Sequence, residues 1–259
     1  MATKTINIRG RTLGGTPPLT PLICAPLVGR TRERVLAEAA IVIAKGCDLI
    51  EWRVDFFEGI GDTAAALDVA KDLRAAAGDM PIIFTRRSVN EGGEPISIDD
   101  ADVVRLYEAV CASQLIDFVD FEMGNDADLV RQVIATAHQH ETRVILSYHN
   151  FSETPSQAFM VQRFMEAERL GGDMAKIAVM PRDRNDVLAL LAATALAEET
   201  AQIPLISMSM GALGAVTRMI GGEFGSALSF AVGEGSSAPG QLPIADLSQI
   251  AEIIRRTRS

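Results

Sequence analysis

The stretch "MAKIAVM", residues 174–180, is apolar apart from one lysine, Lys176, and lies between "GGD" and "PRD". Its length and flanking turn residues favour a buried strand of a parallel sheet over a surface loop. Lys176 then has two interpretations. It lies near a strand end and extends to water, or it is a buried amine with a chemical role. An isolated polar residue more often has a structural role, here that of a strand-end lysine extending to water, than a chemical one.

Seven other apolar runs of similar length occur along the chain, separated by segments with helical spacing such as 31–46 and 100–114. The eight runs cover residues 22–28, 49–56, 81–87, 118–123, 143–150, 175–181, 204–210 and 227–233. Eight alternations of strand and helix without a Gly/Ser-rich linker predict an α/β fold, a single-domain (β/α)8 TIM barrel spanning residues 1–259. A doubly wound open sheet is the main alternative.

The N-terminal segment "TINIRGRTLGGTPP", residues 5–18, alternates polar and apolar residues and is interrupted by glycine. This pattern is typical of a β-hairpin. We expect the hairpin to close one end of the barrel.

The chain has a formal net charge of −10 and a pI near 4.8. Nucleic acid and anionic membranes require a basic surface, so neither is an expected partner. No apolar run reaches the roughly 18 residues that span a bilayer, and "MATKTINIRGRT" lacks the apolar core of a signal peptide. We therefore expect a cytoplasmic protein.

The cysteines and histidines do not have the spacing of a metal site. They are Cys24, Cys47, Cys111, His138, His140 and His149. We expect the cysteines to be reduced and packed in the core. The "HQH" at 138–140 resembles a metal-binding pair, but it falls at the end of a predicted helix and is more simply a solvated helix terminus.

Polar side chains occur near the carboxyl ends of most predicted strands, where barrel enzymes place their chemistry. Glu51, Arg53 and Asp55 share one parity in "EWRVD", and hence one face of their strand. The following strands carry "TRRS", "DFE", "SYHN" and Lys176, and Arg218 and "SSAPGQ" follow the last two strands. So many ionisable groups at one end of the strands predict an active site.

A lysine inside a barrel, with no metal ligands and no clear phosphate-binding glycine motif, favours Schiff-base chemistry on a ketone or aldehyde. The amine must be neutral to attack, and burial among residues such as Ile177 and Val179 would favour that form. The protonated imine acidifies the adjacent carbon. His149 suits the role of a base that later acts as an acid.

Six motifs in order resemble type I 3-dehydroquinate dehydratase of the shikimate pathway, over nearly the whole chain. They are "EWRVD" (51–55), "FTRRS" (84–88) with "NEGGE" (90–94), "SYHNF" (147–151), "KIAVMP" (176–181), "SMSMG" (207–211) and "SAPGQ" (237–241). The resemblance implies the eight-stranded barrel, a homodimer and no cofactor, and the spacing of the cysteines and histidines predicts no metal. It also implies 3-dehydroquinate as substrate and 3-dehydroshikimate as product of a syn elimination of water.

The resemblance also implies roles for individual residues. Lys176 resembles the lysine that forms a Schiff base with the C3 ketone, and His149 the base that removes a C2 proton and then protonates the departing C1 hydroxyl. Glu91 resembles the carboxylate that orients this histidine. The residues expected to bind substrate are Glu51, Arg53 and Arg87 on its hydroxyl side, and Arg218, Ser237 and Gln241 at its carboxylate. Asp120 either supports His149 or pairs with a neighbouring arginine.

Two positions depart from the pattern expected of that family. Arg86 and Arg87 are adjacent, so strand alternation should point them to opposite sides, with Arg86 needing an outward partner. Tyr148 replaces an expected asparagine, but it should face away from the site.

Two other functions are compatible with a barrel lysine. A class I Schiff-base aldolase acting on a small phosphorylated sugar or keto acid would use the loops "SMSMGALG" (207–214) and "VGEGSS" (232–237) to bind phosphate. A catalytically silent barrel would bind a ligand without turning it over. Arg218 with "SAPGQ" suits a carboxylate better than a phosphate, and the joint presence of Lys176, His149 and Glu91 argues against a silent barrel.

Overall fold

The computed structural model describes residues 4–258, in which eight strand–helix units follow an N-terminal hairpin. The hairpin strands are β1 (Thr5–Ile8) and β2 (Arg11–Gly14). The barrel strands are β3 (Leu22–Leu27), β4 (Leu49–Arg53), β5 (Ile82–Thr85), β6 (Phe118–Glu122), β7 (Arg143–Asn150), β8 (Met174–Val179), β9 (Leu205–Ser209) and β10 (Leu228–Val232), and a short β11 (Leu242–Pro243) pairs with β10.

One α-helix follows each barrel strand. These are α1 (Arg32–Ala44), α2 (Thr63–Ala77), α3 (Asp100–Ser113), α4 (Ala127–Gln139), α5 (Gln157–Leu170), α6 (Arg184–Glu198), α7 (Gly211–Ile220) and α8 (Ile244–Arg256). Short 3₁₀ turns follow β4, β5 and α7 at Val54–Phe56, Val89–Glu91 and Gly221–Phe224.

The strands pair in parallel and in chain order from β3 to β9, and β10 lies beside β3. A parallel bridge between Leu205 and Ser226 joins the two remaining edges, and the Ala227 N–H donates to the Leu205 carbonyl at 2.8 Å. Because the last strand pairs with the first, the sheet is closed. The predicted (β/α)8 barrel is confirmed, and the doubly wound open sheet is wrong.

Each barrel strand is buried on both faces, and its alternate residues divide between two hydrophobic cores. Along β4, Ile50 and Trp52 pack against the helices, whereas Leu49 packs inside the barrel. The same parity carries Glu51 and Arg53 into the interior above Leu49. The barrel therefore has an apolar lower interior and a charged upper interior.

Capping side chains fix where most of the helices begin. An aspartate, serine or threonine accepts a hydrogen bond from the first turn of six helices; these residues are Thr31, Asp62, Asp99, Asp126, Ser156 and Asp183. These caps satisfy backbone N–H groups, and the four aspartates also place negative charge at the positive end of their helix dipoles. Four of the aspartates that contribute to the low pI therefore stabilise helices.

The N-terminal hairpin closes the end of the barrel opposite the polar strand ends, as predicted. Leu13 on β2 is 1% exposed and belongs to the interior core. Arg9, in the turn of the hairpin, pairs with Asp117, which directly precedes β6. Lys4 pairs with Glu198 at the end of α6 at 2.8 Å. These contacts all lie at the amino-terminal side of the strands.

The three cysteines are buried and free, as predicted. Burial raises the pKa of Cys47 to about 12 and that of Cys111 to about 11, so neither thiol is ionised near neutral pH. No helix within residues 4–258 is long and apolar enough to cross a membrane.

We predict that Leu13→Ala lowers the free energy of unfolding by about 2–5 kcal/mol, because it leaves a cavity in the interior core. Thr12→Ala is the matched control, since Thr12 is exposed on the same strand. It removes only an exposed hydrogen bond to Asn7, so its effect should stay below about 1 kcal/mol. Urea unfolding followed by circular dichroism measures both. Equal, small effects would contradict the placement of the hairpin.

Candidate active site

A pocket of about 420 Å³ opens at the carboxyl ends of the barrel strands. We call it the substrate pocket. Nine residues that were assigned a catalytic or substrate-binding role from the sequence all line it: Glu51, Arg53, Arg87, Glu91, His149, Lys176, Arg218, Ser237 and Gln241. Asp55 and Asp120 do not line it. Apolar side chains complete the wall, among them Phe151, Met208, Met210 and Phe230. The barrel thus brings together residues that are up to 190 positions apart in the chain.

Lys176 lies in the middle of β8 and is 4% exposed, so it does not extend to water. Its Nζ donates to Asp120 Oδ2 at 2.9 Å and to Glu51 Oε1 at 3.3 Å. The Phe230 ring covers it, with Nζ 4.3 Å from the ring centroid. The structural interpretation of this lysine as a strand-end residue is therefore wrong.

His149 lies on β7, which pairs with β8. Ser147 is the residue of β7 that pairs with Lys176, and His149 lies two residues beyond it. Its Nδ1 is 2.8 Å from Glu91 Oε2, and the His149 backbone N–H donates to the same oxygen at 3.0 Å. Since Oε2 accepts the backbone N–H, we assign the Nδ1 proton as a second donor to it. Nε2 then carries a lone pair, and no residue within 4–258 is hydrogen-bonded to it.

The electrostatics of the pair favour a neutral imidazole. Burial lowers the pKa of His149, and the neighbouring cations Arg87 and Lys176 lower it further. Burial and the nearby Glu122 carboxylate together raise the pKa of Glu91 to about 8, against the opposing effect of Arg87. The arrangement provides a base with an orienting carboxyl group.

Arg87 connects β5 to β6 and β7 through its guanidinium. It donates to Asp120 Oδ1 at 2.7 Å, to Glu122 Oε1 at 3.0 Å and to Ser147 Oγ at 2.9 Å. Although burial opposes it, these carboxylates, with Glu91, raise the pKa of Arg87 above its usual value. Arg87 is therefore a permanent cation within the barrel.

Asp120 bonds to Arg87, Lys176 and Ser147, and it has no hydrogen bond to His149. Burial alone would raise its pKa, but the Arg87 guanidinium and the Lys176 ammonium hold it well below the usual range. Of the two roles considered for Asp120, pairing with an arginine is the one observed.

Glu122 is a site residue that sequence reasoning missed. It is 3% exposed and accepts from both Arg87 and the Ser88 backbone N–H, the latter at 2.7 Å. It shares the parity of Asp120 in "VDFEM", and that parity was the signal available in the sequence.

Arg53 and Asp55 form a two-pronged ion pair of 2.8 and 2.7 Å, and Arg53 also donates to the Ser237 carbonyl at 3.4 Å. β4 ends at Arg53, three residues earlier than predicted, so Asp55 lies in the following 3₁₀ turn and not on the strand face shared by Glu51 and Arg53. Asp55 accepts from the Arg87 backbone N–H at 3.2 Å and holds two loops together.

Arg218 on α7 is 3% exposed and lacks a carboxylate partner among the described residues. Its guanidinium meets only neutral acceptors, the carbonyls of Phe230 at 3.2 Å and Pro239 at 3.4 Å and the Met208 sulfur, and its buried Nε has no hydrogen-bond partner. Burial lowers the pKa of Arg218 to about 10. A buried cation without a counter-ion provides a place for an anionic ligand.

The segment between β10 and β11 brings Ser237 and Gln241 to the same side of the pocket. Gln241 Nε2 donates to Ser237 Oγ at 3.1 Å, and the Ser237 N–H donates to Gln241 Oε1 at 3.1 Å. The amide and the hydroxyl therefore hold each other in place beside Arg218.

The two positions at which the sequence departs from the family pattern are Arg86 and Tyr148. Arg86 points away from Arg87 and reaches Asp100 at 3.4 Å, as the alternation predicts. Tyr148 packs on Phe159 of α5, with ring centroids 5.6 Å apart, and so faces away from the pocket.

The "HQH" stretch lies at the end of α4, as predicted, where His138 Nε2 is 2.9 Å from Asp173. Within residues 4–258, no three His, Cys, Asp or Glu side chains are grouped so that they could hold a metal ion.

Comparison with known proteins places this chain in a family. The model of the type I 3-dehydroquinase family matches residues 23–258. The chain is 52% identical, over 98% of its length and 96% of the relative's, to a 3-dehydroquinate dehydratase of Albidiferax ferrireducens. It superposes on the crystal structure of 3-dehydroquinate dehydratase from Geobacillus kaustophilus with a TM-score of 0.94 and 45% identity, covering 98% of this chain and 97% of that one.

A second solved structure is similar over the same extent. It is the type I 3-dehydroquinate dehydratase of Clostridium difficile, with a TM-score of 0.92, 34% identity and 98% coverage of both chains. Sequence and structure agree over nearly the whole length of the chain, and this protein belongs to the type I 3-dehydroquinase family.

Proposed function

We propose that this protein dehydrates 3-dehydroquinate to 3-dehydroshikimate in the shikimate pathway, by a syn elimination through a Schiff base on Lys176. Family membership favours this reaction over an aldolase and over a silent barrel. The observation that carries the proposal for the site residues is the position of Lys176 and His149 on neighbouring strands, facing a pocket that also holds the unpaired cation of Arg218.

The substrate carboxylate binds at Arg218. A carboxylate there supplies the counter-charge that the buried guanidinium lacks, and Ser237 and Gln241 add polar contacts. Glu51 and Arg53 line the same pocket and suit the ring hydroxyls. Arg87 has three of its five N–H donors occupied by protein acceptors, so it retains donors for a hydroxyl.

The first chemical step joins Lys176 to the substrate. Lys176, held as an ammonium by Glu51 and Asp120, first gives one proton to Nε2 of His149. The neutral amine then attacks the C3 carbonyl carbon, and the carbinolamine hydroxyl takes the proton back from His149 and leaves as water, which gives a protonated imine. Glu51 and Asp120 lie within hydrogen-bond distance of Nζ. Their negative charges stabilise the cationic imine.

The second step is the elimination. His149 Nε2 takes a C2 proton, and the electrons of the C–H bond form an enamine with the imine nitrogen as the electron sink. The enamine then expels the C1 hydroxyl, which receives the proton from His149 and leaves as water. Because one imidazole serves both transfers, proton and hydroxyl depart from the same face of the ring. Hydrolysis of the conjugated imine releases the enone and regenerates Lys176.

We further propose that residues 1–259 form one domain that assembles as a homodimer in the cytoplasm. The two hydrophobic cores lie on the two faces of a single closed sheet, which supports one folding unit. The homodimer follows from the family resemblance alone. It and the cytoplasmic location stay predictions.

The test of the proposed function is the absorbance of the enone formed from 3-dehydroquinate. We expect the wild-type protein to produce it and Lys176→Ala to produce none, because no other lysine lines the pocket among the described residues. Lys71→Ala is the control, and it should retain full activity. A wild-type protein that folds but forms no enone contradicts the proposal.

We predict that His149→Ala retains imine formation but turns over slowly. A general acid–base group contributes about 10²–10⁴-fold, and His149 acts twice, so kcat should fall by about 10⁴-fold or more. Intact-mass spectrometry of the variant with substrate should show the bound intermediate accumulating. Rapid turnover would mean that another group, with Glu91 or Asp120 the first candidates, is the base.

We predict that Arg218→Met raises KM by about 30-fold or more, since losing a buried charge partner costs about 2–5 kcal/mol of binding. The same change removes an unpaired buried charge, so the stability of the ligand-free protein should be unchanged or higher. Arg182→Met, at an exposed ion pair with Glu153, is the control and should leave KM unchanged. A fall in kcat at constant KM would place the carboxylate elsewhere.

We predict that kcat/KM rises as pH increases through about 8, the pKa of Glu91. Ionised Glu91, the form present above that pH, stabilises the imidazolium that His149 becomes during proton transfer. Glu91→Gln keeps an acceptor for Nδ1 but cannot ionise, so its profile should lack this rise. A rise that persists in Glu91→Gln would assign the ionisation to another group.

A further inference from the structure

The two carboxyl oxygens of Glu91 have different surroundings. Oε2 accepts from the backbone N–H and the ring of His149, whereas Oε1 has no hydrogen-bond partner within the described chain. Oε1 lies beside Gly124, where an added Cβ would be 3.4 Å from it. Because Oε2 already accepts these contacts, a proton on the carboxyl group belongs on Oε1.

A second cavity of about 590 Å³ lies next to the substrate pocket. We call it the side pocket, and its wall includes Arg86, Ser88, Glu91, Glu122, Gly124 and Asn125. Gly124 lines this pocket and not the substrate pocket, so Oε1 faces the side pocket. Among the residues that line these two pockets, Glu91 alone is common to both.

The side pocket is open to solvent. Asn90, Asp100 and Gly124 on its wall are exposed, and Glu122 and Asn125 add polar groups to the same wall. Solvent water in the side pocket therefore contacts Glu91.

The charges around Glu91 make its proton exchangeable near neutral pH. Arg87 faces it from the segment that follows β5, Glu122 and Asp120 face it from β6, and His149 faces it from β7. Burial and the Glu122 carboxylate raise the pKa of Glu91 to about 8, so Oε1 holds a proton at neutral pH and releases it readily.

We propose that the side pocket is a proton route between solvent and the Glu91–His149 pair, separate from the entrance that the substrate fills. When Nε2 takes the C2 proton, Oε1 releases its proton to water in the side pocket, and the new carboxylate faces the imidazolium. When His149 protonates the departing hydroxyl, Oε1 takes a proton back. No net proton is gained or lost over the cycle. This inference rests on the proposed function.

The test is a stopped-flow single turnover with a pH indicator in weakly buffered solution. Below about pH 8, we expect a transient release of about one proton per site that is reversed as the enone forms. Glu91→Gln should abolish the transient, and above that pH the wild type should show none. A wild-type enzyme that forms the enone without this transient overturns the inference while leaving the proposed function intact.

Closing the side pocket provides an independent test. Gly124 is exposed and its φ is not in the left-handed region, so Gly124→Leu is compatible with the fold and covers Oε1. Well below pH 8, we expect kcat to fall about tenfold, which is less than the roughly 10²-fold loss expected on removing an acid–base group entirely. Well above pH 8, kcat should be unchanged. Val89→Leu, at a position 61% exposed on the rim of the same pocket, is the control and should have no effect.

A structural defect would lower kcat equally at both pH values, and that result would overturn the inference. Gly124→Ala is the milder variant in case Gly124→Leu does not fold, and it should show a smaller effect with the same pH dependence.

Discussion

The guanidinium of Arg87 holds the charged interior of this barrel together. It joins the ends of three neighbouring strands by donating to Asp120, Glu122 and Ser147. An unpaired carboxylate inside a protein is costly, and so is an unpaired lysine. Because Arg87 shares Asp120 with Lys176, each of these three charges has a partner. The network allows a lysine to lie in the middle of a buried strand, within reach of a carbonyl in the substrate pocket.

Arg218 provides the opposite case within the same pocket. Its guanidinium is as deeply buried as that of Arg87, but it meets only carbonyl oxygens and a sulfur atom in the described structure. The missing counter-charge costs stability in the free protein and is restored when an anion binds. The charge of Lys176 is therefore balanced by neighbouring carboxylates, whereas the charge of Arg218 at one end of the pocket is not. This asymmetry orients a substrate that has a ketone at one position and a carboxylate at another.

The sequence predicts much of this arrangement, because local periodicity encodes it. Strands such as 143–150 and helices such as α3 occur within a residue or two of their predicted bounds, and strand parity places Glu51 and Lys176 in the interior. The choice of partner is not encoded locally. Asp120 could serve His149 or an arginine, and only the register between β5 and β6 decides it. Glu122 was missed for the same reason, since its contact with Arg87 spans 35 positions.

The account depends most on covalent bond formation at Lys176, which borohydride reduction in the presence of 3-dehydroquinate tests directly. Peptide mapping of the reduced wild-type protein should find the mass of the substrate-derived group on the peptide that contains Lys176, together with loss of activity. An adduct on another lysine, or full activity after reduction with substrate present, would contradict the account.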